Sequence, residues 1–527
     1  MPAIISDQFR ILNTETFVKS LVSVGYTSNN YYVFIGQPNS TNALAGGSPS
    51  NWPTPPLDGF NEENLIKQTI VSLKKVTSAD VSRVVPKLQW TPGTIYDMYR
   101  NDYTIYNLTN VTSKSRLYDS NYFVINENLQ VYICLNNGSD PDNPNGKPSF
   151  DEPTFVDLEP RQAGTSGDGY IWKYLYTIKP SQIVKFDSIE YMPVPEDWGS
   201  SGESLTIKNN AINGKIYTTI ITDRGSGYQS SQSLPRSFSN IPILGDGKDG
   251  TATITVDSTG SVSDVYISNG GSGYTKGKID FRPGGIGIPD SLSNTGTIAT
   301  FDVIIPPKGG HGHDIYRELG AYRALIYSRF QKNIQNPDTI DVNDFGRVGI
   351  IKNPTVVGSD VQLLTESEVS GLSALKLSGV TTETTYGLDS IITQNVGFGS
   401  TAIGFVASWD SITGVLKYYQ PVGLATDYVN YTINQFTSNP DISTGGELII
   451  HSDSSTRIGP ELSIDKNFNG SEFTINNNTY QLGLVFNSGI ASAEYNTKSG
   501  EIIYIDNITA VPLSPSQKED IKIVLEF

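Results

Sequence analysis

Apolar runs in this chain are short, and each closes quickly on a turn-forming residue. Phe301 to Pro307 (FDVIIPP) is typical. Nothing approaches the roughly 20 apolar residues that a bilayer-spanning helix needs. The 50 glycines and 29 prolines, with abundant Asn, Ser and Thr, punctuate short strands with tight turns. The 29 tyrosines suit half-wet sheet faces and interfaces, because each carries an apolar ring and a polar tip. The pattern predicts a mainly β protein with a minor helical part.

Length and charge narrow the class. At about 150 residues per domain, 527 residues make three or four domains, enough for sizeable cores without staples. The single cysteine, Cys134, excludes an intrachain disulfide and a Cys-based zinc site, and suits assembly in a reducing cytoplasm. With 37 basic and 54 acidic residues the formal charge is −17. Such a chain lacks the basic field that phosphate binding requires, so neither nucleic acid nor an anionic membrane is expected as a partner. The opening Met1-Pro2-Ala3-Ile4-Ile5-Ser6-Asp7 has no basic and then apolar segment, so no signal peptide is read.

Along the chain, Thr14 to Val24 reads as a helix with Phe17, Leu21 and Val24 on one face and Gly25 as its stop. Tyr31 to Ile35 reads as a buried strand, residues 36–58 as a loop, and Glu62 to Lys75 as a second helix. A hairpin is expected from Tyr122–Ile125 and Leu129–Leu135 around Asn126-Glu127-Asn128. An exposed loop follows at 136–152, then an aromatic strand at Tyr170–Ile178 with Tyr170, Trp172, Tyr174 and Tyr176 on one face.

Gly214-Lys215-Ile216 through Gly225-Ser226-Gly227-Tyr228 recurs 46 residues later as Gly260-Ser261-Val262 through Gly271-Ser272-Gly273-Tyr274. Two copies are too few for a solenoid, so 206–300 is expected to be a small inserted β module. A second such module is expected at 355–445, with strands at Thr401–Trp409 and Gly414–Pro421. The expected core then comprises 1–205, 301–354 and 446–527, ending in two strands, Glu501–Asp506 and Ile521–Phe527. Lys308 to Phe330 reads as a Gly-rich turn, a short helical turn and a strand.

Chemical motifs are sparse. His311, His313, Asp314 and Glu318 form the one cluster with metal-ligand chemistry, but no standard ligand spacing. The weighted expectation there is a surface turn with solvated histidines. Asp140, Asp142 and Asn145-Gly146 resemble a calcium loop, but Pro144 stands where that loop needs Asp or Asn. The Gly-Ser-Gly-Tyr pairs lack the phosphate-loop ending, so their glycines are expected to supply positive φ. No G-x-S-x-G or H-E-x-x-H occurs. No catalytic, cofactor-binding or metal-binding residue is therefore assigned, and the chain is read as a non-enzyme.

Four segments carry a family resemblance. Gly167-Asp168-Gly169-Tyr170-Ile171-Trp172-Lys173-Tyr174-Leu175-Tyr176 resembles the GDGY-x-W-x-Y-L stretch of the gene-eight baseplate wedge subunits of T-even-type contractile-tailed phages. Val84 to Trp90 is similar to a hydrophobic–Pro–x–x–x–Trp segment of that family. Glu190-Tyr191, Val194-Pro195 and Trp198-Gly199 resemble its EY-x-x-VP…WG stretch with a shorter gap. Ser499 to Asn507 resembles its SGE-x-IY-x-[DE]N stretch, and Glu519 to Phe527 its terminal strand. The resemblance covers 1–205 and 460–527 and extends to 301–350, leaving the two modules as additions. It implies a β-sandwich core with helix-bearing loops, a homodimer bound to other wedge proteins, and a place in the virion's tail baseplate. It carries over no catalytic residue or cofactor. Trp90, Trp172 and Trp198 are implied packing anchors; Gly167, Gly169 and Gly500 are implied turns. Two other classes compete: a tail adhesin binding host glycan through the inserted modules, and a tail-associated glycan hydrolase.

Overall fold

The computed structural model describes residues 5–22, 29–37, 53–104, 106, 112–230, 233–331, 344–381, 385–422, 425–426, 432–452, 461–512 and 517–527. The protein is mainly β, with 43% of residues in strands and 12% in helices, so sheet pairing decides the architecture. Contact density divides the chain into two units. One comprises residues 1–18, 82–325 and 524–527; the other comprises 19–81 and 326–523.

In the first unit, Phe123–Ile125, Gln130–Asn137 and Tyr170–Thr177 form a three-stranded antiparallel sheet. The expected hairpin is present, with Ile125 opposite Val131 and Leu129 in the left-handed region. Tyr170, Trp172, Tyr174 and Tyr176 are all buried, but the expected single face is corrected: a bulge at Leu175 sets Tyr174 opposite Tyr132 and Tyr176 opposite the adjacent Val131, so Tyr176 turns to the other side. Lys173 and Leu175 are buried too, so this strand is covered on both sides. Tyr170 stacks on Trp172 at 5.4 Å, and Tyr96 meets both rings edge-on.

The repeated segments form a body with its own core, from Ile216 to Phe301. Its main sheet orders Val262–Ser272, Lys248–Val256, Arg236–Gly245 and Gly277–Ile279. The two copies clasp each other reciprocally. Ile216 N–H donates to Gly270 O, and its equivalent Val262 donates to Arg224 O, which is equivalent to Gly270. Tyr274 N–H donates to Gly214 O, and Tyr228 N–H donates to Gly260 O. Both tyrosines are buried, and both hydroxyls pin backbone: Tyr228 Oη to Phe281 O, Tyr274 Oη to Ile243 O. The four glycines of the Gly-Ser-Gly-Tyr pairs all have positive φ, as the turn chemistry predicts.

In the second unit, five strands order as Glu368–Ser370, Ile70–Lys75, Tyr31–Gly36, Asp344–Lys352 and Glu501–Pro512. Here the expected helix over Glu62–Lys75 is corrected. The helix spans Phe60–Gln68, and Ile70–Lys75 is a strand between two neighbours. Ile66, Ile70 and Leu73 do hold a helical period, but Ile70 and Val71 are β-branched and both faces there are buried, which favours strand. The first helix, Asp7–Val22, lies mainly in the first unit and starts earlier than expected, with Ser6 Oγ accepting from Phe9 N–H. Its buried stripe is Ile11, Thr14, Val18 and Leu21. Gly25 lies outside the described residues.

The same unit contains a closed barrel. Ser373–Ser378 pairs with Val415–Tyr419, which pairs with Ser400–Asp410, then Ile391–Gly397, Ile449–Ser452 and Leu462–Ile464. Leu377 opposite Ile464 closes the ring. The last two strands lie beyond residue 445. Leu375, Leu377, Ile392, Ala402, Val406, Leu416, Tyr418, Ile450 and Ile464 fill it with apolar side chains. Gln394 is fully buried but satisfied: its amide donates to Thr437 O and Glu447 O and accepts from Thr437 N–H. A hairpin, Gly470–Ile475 and Asn478–Phe486, packs Leu482, Leu484 and Phe486 with Ala374 and Val415.

Candidate functional site

The His311 cluster does not have the arrangement expected of it. Residues 308–314 form turns, as the glycines predict, and Ile315–Leu319 is a short helix. Asp314 caps the helix by accepting from Arg317 N–H, and Gly320 ends it in the left-handed region. That helix swings Glu318 back under the turn. Its Oε1 lies 2.6 Å from His311 Nδ1, and its Oε2 accepts from Gly312 N–H at 2.6 Å. His311 is 3% exposed and Glu318 1%, so the solvated surface histidine is corrected at this position. His313 alone of the pair is exposed. The physical reason is the paired carboxylate: a polar ring can be buried when a fixed acceptor meets it.

The rings of Tyr99 and Tyr217 pack on the His311 imidazole at 4.7 and 5.9 Å. Burial pushes the Tyr99 phenol well above its ordinary range, with the Glu318 charge acting in the same direction. Lys173 is buried nearby and donates to Leu158 O at 2.6 Å. Burial pulls its amine below the usual lysine range, while Glu318 and Glu159 oppose. The arrangement joins distant segments. Trp198 Nε1 donates to Gly312 O, and Tyr122 Oη donates to Glu318 O. Tyr316 Oη donates to Pro195 O. The His311–Glu318 pair thus braces the turn against its own helix, and Gly312 and Tyr316 join the two to Trp198 and Pro195. Among the described residues, no group of three His, Cys, Asp or Glu could hold a metal ion.

The 136–152 loop is similarly self-satisfied. Asp140 Oδ1 accepts from the Asp142 and Asn143 N–H groups, and its other oxygen pairs with Lys147 at 3.0 Å. Arg224 pairs with Asp142 at 3.0 Å. These acids are already neutralised by side chains of the chain itself.

Two polar clusters escaped the sequence reading. His451, on a barrel strand, lies 2.6 Å from Glu447 and 3.2 Å from Glu461. Burial opposes its charging, but the two carboxylates outweigh this and raise its pKa; the His451 hydrogen bond lowers that of Glu447. Lys376, on the barrel's outer face, lines a cavity of about 590 Å³. Separately, a cleft of about 320 Å³ runs between the barrel rim and the 492–498 segment, lined by Gln68, Tyr418, Gln420, Gln435 and Asn496. Glu461 reaches His451 because the strand it leads into, Leu462–Ile464, pairs beside the histidine's, whereas Lys376 meets its covering rings across about ninety residues of sequence (468 − 376).

The matched motif residues occupy cores and turns. Trp172 is fully buried, Trp198 is 8% exposed, and Trp90 packs half-buried with its indole N–H donating to Ser149 Oγ. Gly167, Gly169 and Gly500 have φ of 72°, 88° and 79°. No family model matches the chain, and no curated protein matches it either. No described helix is long and apolar enough to cross a membrane.

Proposed function

We propose that this chain is a structural, non-enzymatic subunit of a contractile-tail baseplate wedge. In this reading it is a homodimer that joins neighbouring wedge proteins during assembly and rearrangement of a phage baseplate. The observation that carries it is the order of four motif resemblances along the chain, at Val84–Trp90, Gly167–Tyr176, Glu190–Gly199 and Ser499–Asn507. Support comes from the work those residues do: tryptophans pack cores and glycines make turns, as scaffold motifs should. The acidic charge and abundant tyrosine suit a protein that works through protein interfaces.

Mechanically, such a subunit acts through interfaces of roughly 1,200–2,000 Å² with aromatic and Arg anchors. Different contacts in two baseplate states bias the assembly between them. Quantitative mass spectrometry of purified virions tests the proposal. A low, fixed ratio to the tail-tube protein that survives stringent purification is expected. Absence from virions overturns the reading.

A further inference from the structure

We propose that Lys376 is a reactive amine and that the cavity it lines takes a small polar aldehyde or ketone as an imine on Nζ. The inference is independent of the baseplate reading. Lys376 sits on Ser373–Ser378 between Leu375 and Leu377, which point into the barrel, so its own side chain points out. There the 470–486 hairpin covers it, and Lys376 is only 4% exposed. Its Nζ lies 4.2 Å from the Phe473 ring centre and 5.5 Å from that of Phe468. Its Nζ donates to Leu377 O at 3.4 Å, and among the described residues no carboxylate is within ion-pair reach.

A buried ammonium without a counter-ion is costly, so the site favours losing the proton or gaining a ligand. Burial pulls the amine below its ordinary value, while Asp465 and Asp410 oppose that from a greater distance. The phenyl faces also favour the cation, so the balance is what a pH profile reads. The cavity, about 590 Å³, is within the range of small-molecule sites. Its wall includes Thr413, Asp465, Asn476 and Tyr480, which suit a ligand with hydroxyl groups. An anion is disfavoured, since Asp465 and the negative ring faces stand around the amine.

The chemistry balances without a co-reactant. The neutral Nζ lone pair attacks the carbonyl carbon, and the C=O π pair moves to oxygen, which is protonated. The carbinolamine then releases one water as nitrogen gives up its remaining protons to solvent and C=N forms. Nothing is oxidised or reduced.

The full chain would be incubated with glyceraldehyde and cyanoborohydride, and labelled peptides quantified. At about pH 7, exposed lysines of pKa about 10.4 are almost fully protonated. Lys376 is expected to be labelled about ten-fold or more faster than exposed Lys466, with its labelling midpoint at lower pH. K376R keeps the cation over the rings and should lose this label while retaining the wild-type melting temperature. Labelling of Lys376 no faster than Lys466 in the wild type overturns the proposal. So does binding of inorganic phosphate that K376R retains, with no adduct in the wild type, which makes the cavity an anion site.

Discussion

Replacing Glu318 with alanine tests the brace at the His311 turn. The carboxylate accepts two bonds at 2.6 Å, from His311 and from Gly312 N–H, at almost no exposure. A hydrogen bond to a charged group contributes about 1.5–3 kcal/mol, and truncating one partner leaves buried donors unmet. Together these put the loss for E318A at about 3–5 kcal/mol. Glutamine can still accept from Gly312 and can donate to Nδ1 of the other imidazole tautomer, so E318Q should cost only about 1–2 kcal/mol. Urea unfolding followed by tryptophan fluorescence suits the question, because Trp90, Trp172 and Trp198 all lie in this unit. With a urea slope of about 1–3 kcal/mol/M, E318A should lower the midpoint of this transition by about 1 M or more. A loss under about 1 kcal/mol for E318A, or equal losses for both variants, refutes the brace.

The barrel should be sensitive to pH through His451. Its raised pKa gives stability that is full below about 6.5 and lost as pH rises through the higher folded value, while Glu447, with a lowered pKa, gives stability that is lost as pH falls through its own folded value. Thermal melts should therefore peak in mildly acidic buffer, and H451Q should flatten the alkaline side of the profile. An unchanged profile in H451Q would remove His451 from the account. In the repeat, G214A and G260A should each cost about 1–3 kcal/mol by denaturant titration. Both glycines have positive φ, and an added Cβ would fall 2.2 Å from Tyr274 N and 2.7 Å from Tyr228 O. Tolerance of either variant would mean that the backbones can move apart.

What the sequence disclosed was local. The hairpin around Asn126–Asn128, the aromatic strand at Tyr170 and the strands near 401–421 all follow from alternation between turn residues over short spans. The helix over Glu62–Lys75 failed because a helical period and a fully buried strand look alike over a few residues. Barrel closure was invisible for a different reason. Leu377 pairs with Ile464, and no local pattern announces a partner 87 residues away (464 − 377). At the candidate site, His311 and Glu318 were both noticed, but as ligands or solvated groups. Glu318 as the partner that buries His311 depends on Tyr99 and Tyr217 arriving from far along the chain. Lys376 gave no sequence signal at all, since its phenylalanine cover is carried by a hairpin that begins at Gly470.

The reciprocal clasp between the two Gly-Ser-Gly-Tyr copies makes each copy the other's binding partner within one chain. Each copy's leading glycine receives the other copy's tyrosine backbone, through Gly214–Tyr274 and Gly260–Tyr228. One copy alone would leave its own glycine and tyrosine backbone unmatched. A chain carrying one copy built this way could meet those needs only through a second chain exchanging the same contacts. With both copies in one chain, the linker between them sets the effective concentration of a contact that two separate chains would make only in a concentration-dependent encounter. The two copies share their turns and tyrosines more closely than the residues between them, so the matched positions are the ones that make the exchange.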